Sequence, residues 1–337
     1  MDSSAPRPDE QRVSVQAEAG NGQETAEAEE KLSMSGRQDL GAVGKLGTGS
    51  EVSARPDRPA ACPAPVACSR PLPTEVVRWT AETGAVTLNK SVDELSRRED
   101  FAYLGRPSGS EYSSAGVYRT DFEHGALIRV PELNRIMTLE ANVAGSAVVI
   151  GDSQAGPGSW MDLGLAGLGY RTYLRGAGGT GYIAGNGTVG NYYTALTTQQ
   201  WLLPWGNPKL VVLQGGGNDA GRGTDAEIAA EAARMIGEVR RTYPHSRLVM
   251  IGVISSGTDA FGSQRTAVDS LLGEVASIHG VEFLSVGNWW SRFGLGGYLE
   301  PDGRHFTAAG QKAAAAVLAR ELGALLAAGP GSTGAGS

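Results

Sequence analysis

Cysteine, histidine and early aromatic residues are scarce in this chain. Its 337 residues hold two cysteines and four histidines, and no Phe, Trp or Tyr occurs before Trp79. Cys62 and Cys68 lie in Ala-Cys-Pro-Ala-Pro-Val-Ala-Cys-Ser, a spacing that fits neither a zinc knuckle nor a redox Cys-x-x-Cys. They leave a small disulfide loop or two free thiols, and no metal site follows from them. No run approaches the ~20 consecutive apolar residues of a transmembrane helix, so no membrane span is expected. Positive charge is in deficit, with 29 Lys and Arg against 36 Asp and Glu and a formal net charge of -7. A nucleic-acid partner requires a basic face, so none is expected. The N-terminus, Met1-Asp2-Ser3-Ser4-Ala5-Pro6-Arg7-Pro8, lacks the apolar segment of a secretory signal. A cytoplasmic location is the expectation, with export as the alternative.

What is present divides the chain by composition. Residues 1–74 are dominated by Glu, Gln, Ser, Ala, Gly and Pro. Such a segment buries too little apolar surface to offset ~1–2 kcal/mol per residue of backbone ordering, so it reads as disordered, ending in a Pro-rich linker. Residues 75–145 read as a small β-rich accessory region or arm. Val76–Trp79 and Ala85–Leu88 flank a Glu82-Thr83-Gly84 turn, and Val117–Phe122 pairs with Ala126–Val130 across His124-Gly125. Ser91-Val92-Asp93-Glu94 predicts a capping box opening a helix to about Tyr103. From residue 146 to 329 the rhythm becomes strand, loop, helix, which predicts an α/β fold, a central parallel sheet with helices on both faces. Residues 330–337 read as a tail.

Three strand ends in this last region carry chemistry. Val148-Val149-Ile150 stops at Gly151-Asp152-Ser153, the pattern of a buried strand presenting a hydroxyl to a cleft beyond the sheet. Arg171–Leu174 leads into Gly176-Ala177-Gly178-Gly179-Thr180-Gly181, where a backbone N–H can approach closely because no side chain blocks it. Leu210–Leu213 leads into Gly215-Gly216-Gly217-Asn218-Asp219, and Asn218 there can point an amide N–H into the same cleft. A serine needs a base to become a useful nucleophile, and acyl transfer needs donors for the developing oxyanion. Ser153 supplies Oγ and its own N–H. His124 sits in a turn signal, and His245 and His279 sit at helix ends, which read as surface positions. His305 follows Asp302 by three residues in a Pro/Gly turn before a helix capped by Thr307. That spacing lets one loop hold a carboxylate against Nδ1–H while Nε2 faces the serine.

With Gly151-Asp152-Ser153, the Gly178–Gly181 block, Gly216-Gly217-Asn218-Asp219 and Asp302-Gly303-Arg304-His305 in this order, the chain resembles the SGNH (GDSL-type) hydrolases from about Ala147 to Leu326. The resemblance implies a flavodoxin-like SGNH fold, with Ser153 as nucleophile, His305 as base and Asp302 as orienting acid. It also implies an oxyanion hole from the Ser153 N–H, a glycine N–H of the second block and Asn218. Matching Ala177-Gly178-Gly179-Thr180-Gly181 to the family pattern Ala-Gly-x-Ser-Gly selects Gly181, with Gly178 and Gly179 as alternatives. Gln154 stands where the family often has leucine, and the second block lacks the usual asparagine. No Gly-x-Ser-x-Gly elbow surrounds Ser153, which argues against an ordinary α/β-hydrolase.

The implied function is a serine esterase acting on small acyl esters through an acyl-enzyme, without metal or organic cofactor. Carbohydrate O-acetyl esters are the first substrate class on family analogy. An acyltransferase on the same triad and a non-catalytic carbohydrate-binding module are the alternatives. Trp289, Trp290, Phe293, Tyr298 and Phe306 around the base loop either line a pocket or pack beneath the loop. Removal of residues before about Glu75 is expected to leave esterase activity intact; loss of soluble, active protein in that truncation would show that the segment belongs to the folded unit.

Overall fold

The computed structural model describes residues 68–71, 74–254 and 260–329. Cys62 and the rest of residues 1–67 of the segment expected to be disordered, and the C-terminal tail from 330, lie outside the described residues. Cys68–Pro71, expected to belong to the extended linker, instead form a strand, because their backbone pairs with Val76–Trp79. The described chain opens with an antiparallel three-stranded sheet, β1 (Cys68–Pro71), β2 (Glu75–Thr80) and β3 (Gly84–Asn89), in that order. Helix α1 (Lys90–Ser96) follows. Its N-cap is Asn89, whose side chain accepts from the Ser91 N–H at 3.0 Å, and Glu99–Leu104 forms a separate 3₁₀ turn. The expected capping box at Ser91 and the continuous helix to Tyr103 are therefore corrected. Asn89 is a better N-cap than Ser91 here because it ends a strand with the extended backbone a cap requires.

A second antiparallel sheet runs in the order β4 (Tyr112–Ser114), β5 (Val117–Phe122), β6 (Gly125–Val130) and β7 (Arg135–Thr138). The pairing Phe122↔Gly125 makes the β5–β6 turn as tight as the sequence suggested. Period-two alternation sends this sheet's side chains to two different places. Leu127 and Ile136 pack with Val92, Leu95, Phe101, Leu104 and Leu202. Ile128, Val130 and Met137 join the core that also holds Val148 and Ile150.

The central sheet consists of β8 (Ser146–Gly151), β9 (Arg171–Gly176), β10 (Leu210–Gln214), β11 (Arg247–Ile251) and β12 (Glu282–Leu284). All neighbours are parallel, in the order β12-β11-β10-β8-β9. Counted from its own first strand this is the flavodoxin-like order 2-1-3-4-5, whose switch point falls beside β8. β8 is buried on both faces: Ala147 and Val149 pack in one cluster, Val148 and Ile150 in the other.

Helices cover each face. Helix α2 (Trp160–Gly167), capped by Ser159, packs against the last helix; α3 (Tyr192–Thr197) is a short helix capped by Asn191. Helix α4 (Asp225–Thr242) starts with the expected capping box, in which Thr224 and Glu227 satisfy each other's backbone N–H. Helix α5 (Ala260–Ile278), the short α6 (Trp289–Arg292) and α7 (Ala308–Ala328), capped by Thr307, complete the domain. Gly164 lets α2 and α7 touch, since a Cβ there would stand 2.7 Å from Leu318 Cδ2. No described helix is long and apolar enough to cross a membrane.

The second sheet is also tied to the central domain by charge. Glu238 of α4 accepts from Arg135 of β7 at 2.8 Å and from Arg241 at 2.7 Å, and Arg135 and Glu238 are only 4% and 8% exposed. Burial lowers the Arg135 pKa, and the Glu238 carboxylate beside it opposes that shift. Removing one partner of such a pair leaves a buried charge without compensation. Glu238→Ala should therefore lose about 3–5 kcal/mol of stability in urea denaturation, and a loss below ~1 kcal/mol would mean that water already solvates Arg135.

Candidate active site

The end of β8 is shaped by backbone proximity. A Cβ on Gly151 would lie 2.8 Å from Ala155 Cβ and 2.7 Å from Gln214 Oε1. The chain therefore turns sharply into a single 3₁₀ turn, Ser153–Ala155, with Asp152 as its N-cap. Asp152 is buried and accepts from the Gln154 N–H at 2.9 Å. Burial pushes its carboxyl up from the usual range, while that N–H and the nearby Arg265 guanidinium oppose the shift. Ser153, one residue on, is exposed.

The loop before α7 brings the expected partners to it. Ser153 Oγ lies 2.7 Å from His305 Nε2, and His305 Nδ1 lies 2.6 Å from Asp302 Oδ2. The other Asp302 oxygen accepts the N–H groups of Arg304, at 2.9 Å, and His305, at 3.0 Å. The His305 side chain, and then these two backbone donors, hold the Asp302 carboxyl well below the usual carboxylate range. With both oxygens committed, the loop conformation and the imidazole orientation are set by one side chain. The loop is closed by Glu300 N–H to His305 O at 2.8 Å, and Gly303 takes φ +66° within it.

Gln154, which the sequence offered only as a departure from leucine, links these two parts. Its Nε2 donates to Arg304 O at 3.2 Å and its Oε1 accepts from Trp160 Nε1 at 2.9 Å. From below, Gln311 accepts from Trp160 N–H at 2.7 Å and donates to Phe306 O at 3.3 Å. The aromatics around the base loop mainly pack. Trp289 and Phe306 are buried, Trp290 and Phe293 are partly buried against the same cluster, and Tyr298 is exposed.

The glycine loop after β9 requires a correction. Gly181, the residue selected by pattern, has its N–H bonded to Ala184 O at 2.8 Å. Its Cα is packed on Asp219, where a Cβ would stand 2.6 Å from Cγ. Asp219 accepts three further backbone N–H groups, from Tyr182 at 2.8 Å, Ile183 at 3.0 Å and Ala184 at 2.8 Å. Gly181 is thus part of a folded loop wrapped round a buried carboxylate, and its donor is consumed there. Gly178 is the glycine that faces the serine: a Cβ on it would sit 3.8 Å from Ser153 Cβ. Asn218 is anchored to the same loop by Nδ2 donation to Thr180 O at 2.9 Å. An amide nitrogen carries two hydrogens, so one remains for a ligand.

The other histidines stand apart from this cluster, His124 and His245 exposed and His279 after the end of α5. Among the described residues, no group of three His, Cys, Asp or Glu is placed to hold a metal ion.

Residues 148–313 match the family model of the GDSL-like lipase/acylhydrolases, a span that contains Ser153, Gly178, Asn218, Asp302 and His305. No curated protein matches the chain. Solved structures similar to it include Est24, a carbohydrate acetylesterase from Sinorhizobium meliloti, at 19% identity and a TM-score of 0.42, covering 53% of this chain and 99% of that one. An aryl esterase from M. smegmatis gives 17% identity and a TM-score of 0.41 over 54% of this chain and 100% of its own. A catalytic mutant of the acetylxylan esterase Axe2 from Geobacillus stearothermophilus gives 15% and 0.41 over 55% and 97%. Residues 148–313 thus form a GDSL-like lipase/acylhydrolase domain.

Proposed function

We propose that Ser153, His305 and Asp302 form the catalytic triad of a hydrolase for small acyl esters, with O-acetyl esters of carbohydrates as the first class to test. The observation that carries this reading is the continuous chain of contacts from Ser153 Oγ through His305 to Asp302, at 2.7 and 2.6 Å. In this reading Ser153 O–H donates to Nε2, and His305 Nδ1–H donates to the carboxylate. Oγ attacks the ester carbonyl as its proton passes to Nε2. The oxyanion of the tetrahedral intermediate is met by the N–H groups of Ser153 and Gly178 and by Asn218. Collapse expels the alcohol, which takes the proton from His305, and leaves an acyl-enzyme. Water then repeats the sequence, with His305 as base, and releases the acid.

Tyr298 sets an exposed aromatic face at the end of the 3₁₀ turn Leu295–Tyr298, held beside the base loop by the Thr307 N–H, which donates to Tyr298 O at 2.8 Å. An aromatic face suits the apolar side of a sugar ring.

A fluorophosphonate probe should label the protein at Ser153. Ser153→Ala, His305→Ala and the double variant should fall to a similar floor of p-nitrophenyl acetate and acetylated-xylan hydrolysis, since residues acting as one unit are not additive. A double variant worse by the product of the single losses would mean that the two residues work separately. Ester turnover that survives Ser153→Ala would overturn the assignment.

Asp302 stays ionised well below the ordinary carboxylate range, so it does not gain a proton over the pH range in which a histidine titrates. The acid limb of kcat/KM therefore belongs to a group other than Asp302. In Asp302→Asn the acid limb should persist at a lower plateau, because the amide no longer holds the tautomer. An acid limb that disappeared in this variant would assign it to the carboxylate instead.

A further inference from the structure

We propose that Thr180 is a positioning residue that sets the direction of two oxyanion donors at once, the Gly178 N–H and the Asn218 carboxamide; this rests on the oxyanion reading given above. Residues Ala177 to Thr180 form a tight turn. Its closing bond, Thr180 N–H to Ala177 O, is 3.3 Å long, and the Thr180 hydroxyl adds a shorter one to the same carbonyl at 2.7 Å. Gly179 takes φ +80° at the third position of the turn, the position where a type II turn requires positive φ.

The peptide that joins Ala177 to Gly178 is planar and trans, so its C=O and N–H point in opposite directions. Holding the Ala177 oxygen inward on Thr180 therefore holds the Gly178 N–H outward, on the residue whose added Cβ would meet Ser153. The following peptide is fixed from the other side, since Asn186 Nδ2 donates to Gly178 O at 2.9 Å. Thr180 also offers its own carbonyl to Asn218 Nδ2 at 2.9 Å. The side chain is completely buried, so water cannot replace its hydroxyl. A buried donor with one acceptor in reach is an orientation device, and here that acceptor belongs to the oxyanion peptide.

The test compares Thr180→Val, which keeps the shape and the backbone carbonyl but removes the donor, with Thr180→Ser, which keeps the donor. Asn218→Ala serves as the direct probe of the oxyanion site. Thr180→Val should lower kcat about ten- to a hundredfold with KM within about twofold. That is less than the ~10²–10³ expected for removing a donor outright in Asn218→Ala. Thr180→Ser should return kcat to near the wild-type value, and circular dichroism should show all three variants folded.

Thr180→Val at wild-type kcat, beside a crippled Asn218→Ala, overturns the proposal and leaves the oxyanion reading standing. Thr180→Ser failing as badly as Thr180→Val also overturns it, because the methyl packing would then be what matters. Asn218→Ala at wild-type kcat overturns the oxyanion reading and this proposal with it. If Thr180→Val does not fold, Thr180→Cys replaces it as a weaker donor of serine size, and kcat equal to that of Thr180→Ser overturns the proposal.

Discussion

Where β8 and β9 end there is room for backbone only. A Cβ on Gly151 would meet Ala155 at 2.8 Å, and one on Gly176 would meet the Asp152 carbonyl oxygen at 2.7 Å. This crowding lets two adjacent parallel strands deliver their loops to one place, the Ser153 turn from β8 and the glycine turn from β9. A larger residue at either position pushes the loops apart and separates Ser153 from the Gly178 backbone. Transition-state stabilisation by backbone donors demands placement to a fraction of an ångström. In the proposed site that placement would come from close-packed main chain.

Carboxylates organise the rest, in two distinct ways. Asp152, Asp219 and Asp269 are buried and take backbone N–H groups: Gln154 for the first, Tyr182, Ile183 and Ala184 for the second, Val253 and Val286 for the third. In all three, burial pushes the pKa up and the backbone donors oppose it. They pin the loops at the carboxyl ends of β8, β9, β10, β11 and β12. Asp302 differs, being exposed and strongly favoured as the anion. The buried three hold the loops at the strand ends, and the exposed one is in contact with the His305 imidazole at 2.6 Å.

The β-rich region ahead of the central sheet shares its core. Ile128, Val130 and Met137 belong to the same apolar cluster as Val148, Ile150 and Leu213, and Arg135 reaches Glu238 on α4. The backbone continues the link, since Thr138 N–H donates to Leu203 O at 3.0 Å and Trp205 N–H to Thr138 O at 2.7 Å. The β7 edge of that sheet is thereby committed to the segment between α3 and β10.

Local rules made much of this chain legible before any coordinates. The β-branched run into Gly151-Asp152-Ser153, the capping box of Thr224 and Glu227, Ser159 and Thr307 as caps, and the Asp302-x-x-His305 loop all depend on residues within four positions of one another. Their geometry follows from backbone sterics and short-range hydrogen bonds. The alternation of strand and helix was enough for a parallel sheet with helices on both faces. What the sequence left open depends on partners far along the chain. Gly181 and Gly178 are equivalent as letters, and only the return of Ala184 and Asp219 shows that the Gly181 N–H is consumed, while Gly178 is the one packed towards Ser153. Ser91 looked like a cap until the β2–β3 pairing set Asn89 at the strand end. Gln154 had no visible role until Arg304, 150 positions on, was folded beside it. The sequence determined which groups exist and what each turn does; the tertiary structure decided which donors were spent and which were left for a substrate, because a hydrogen bond once made inside the fold is no longer available outside it.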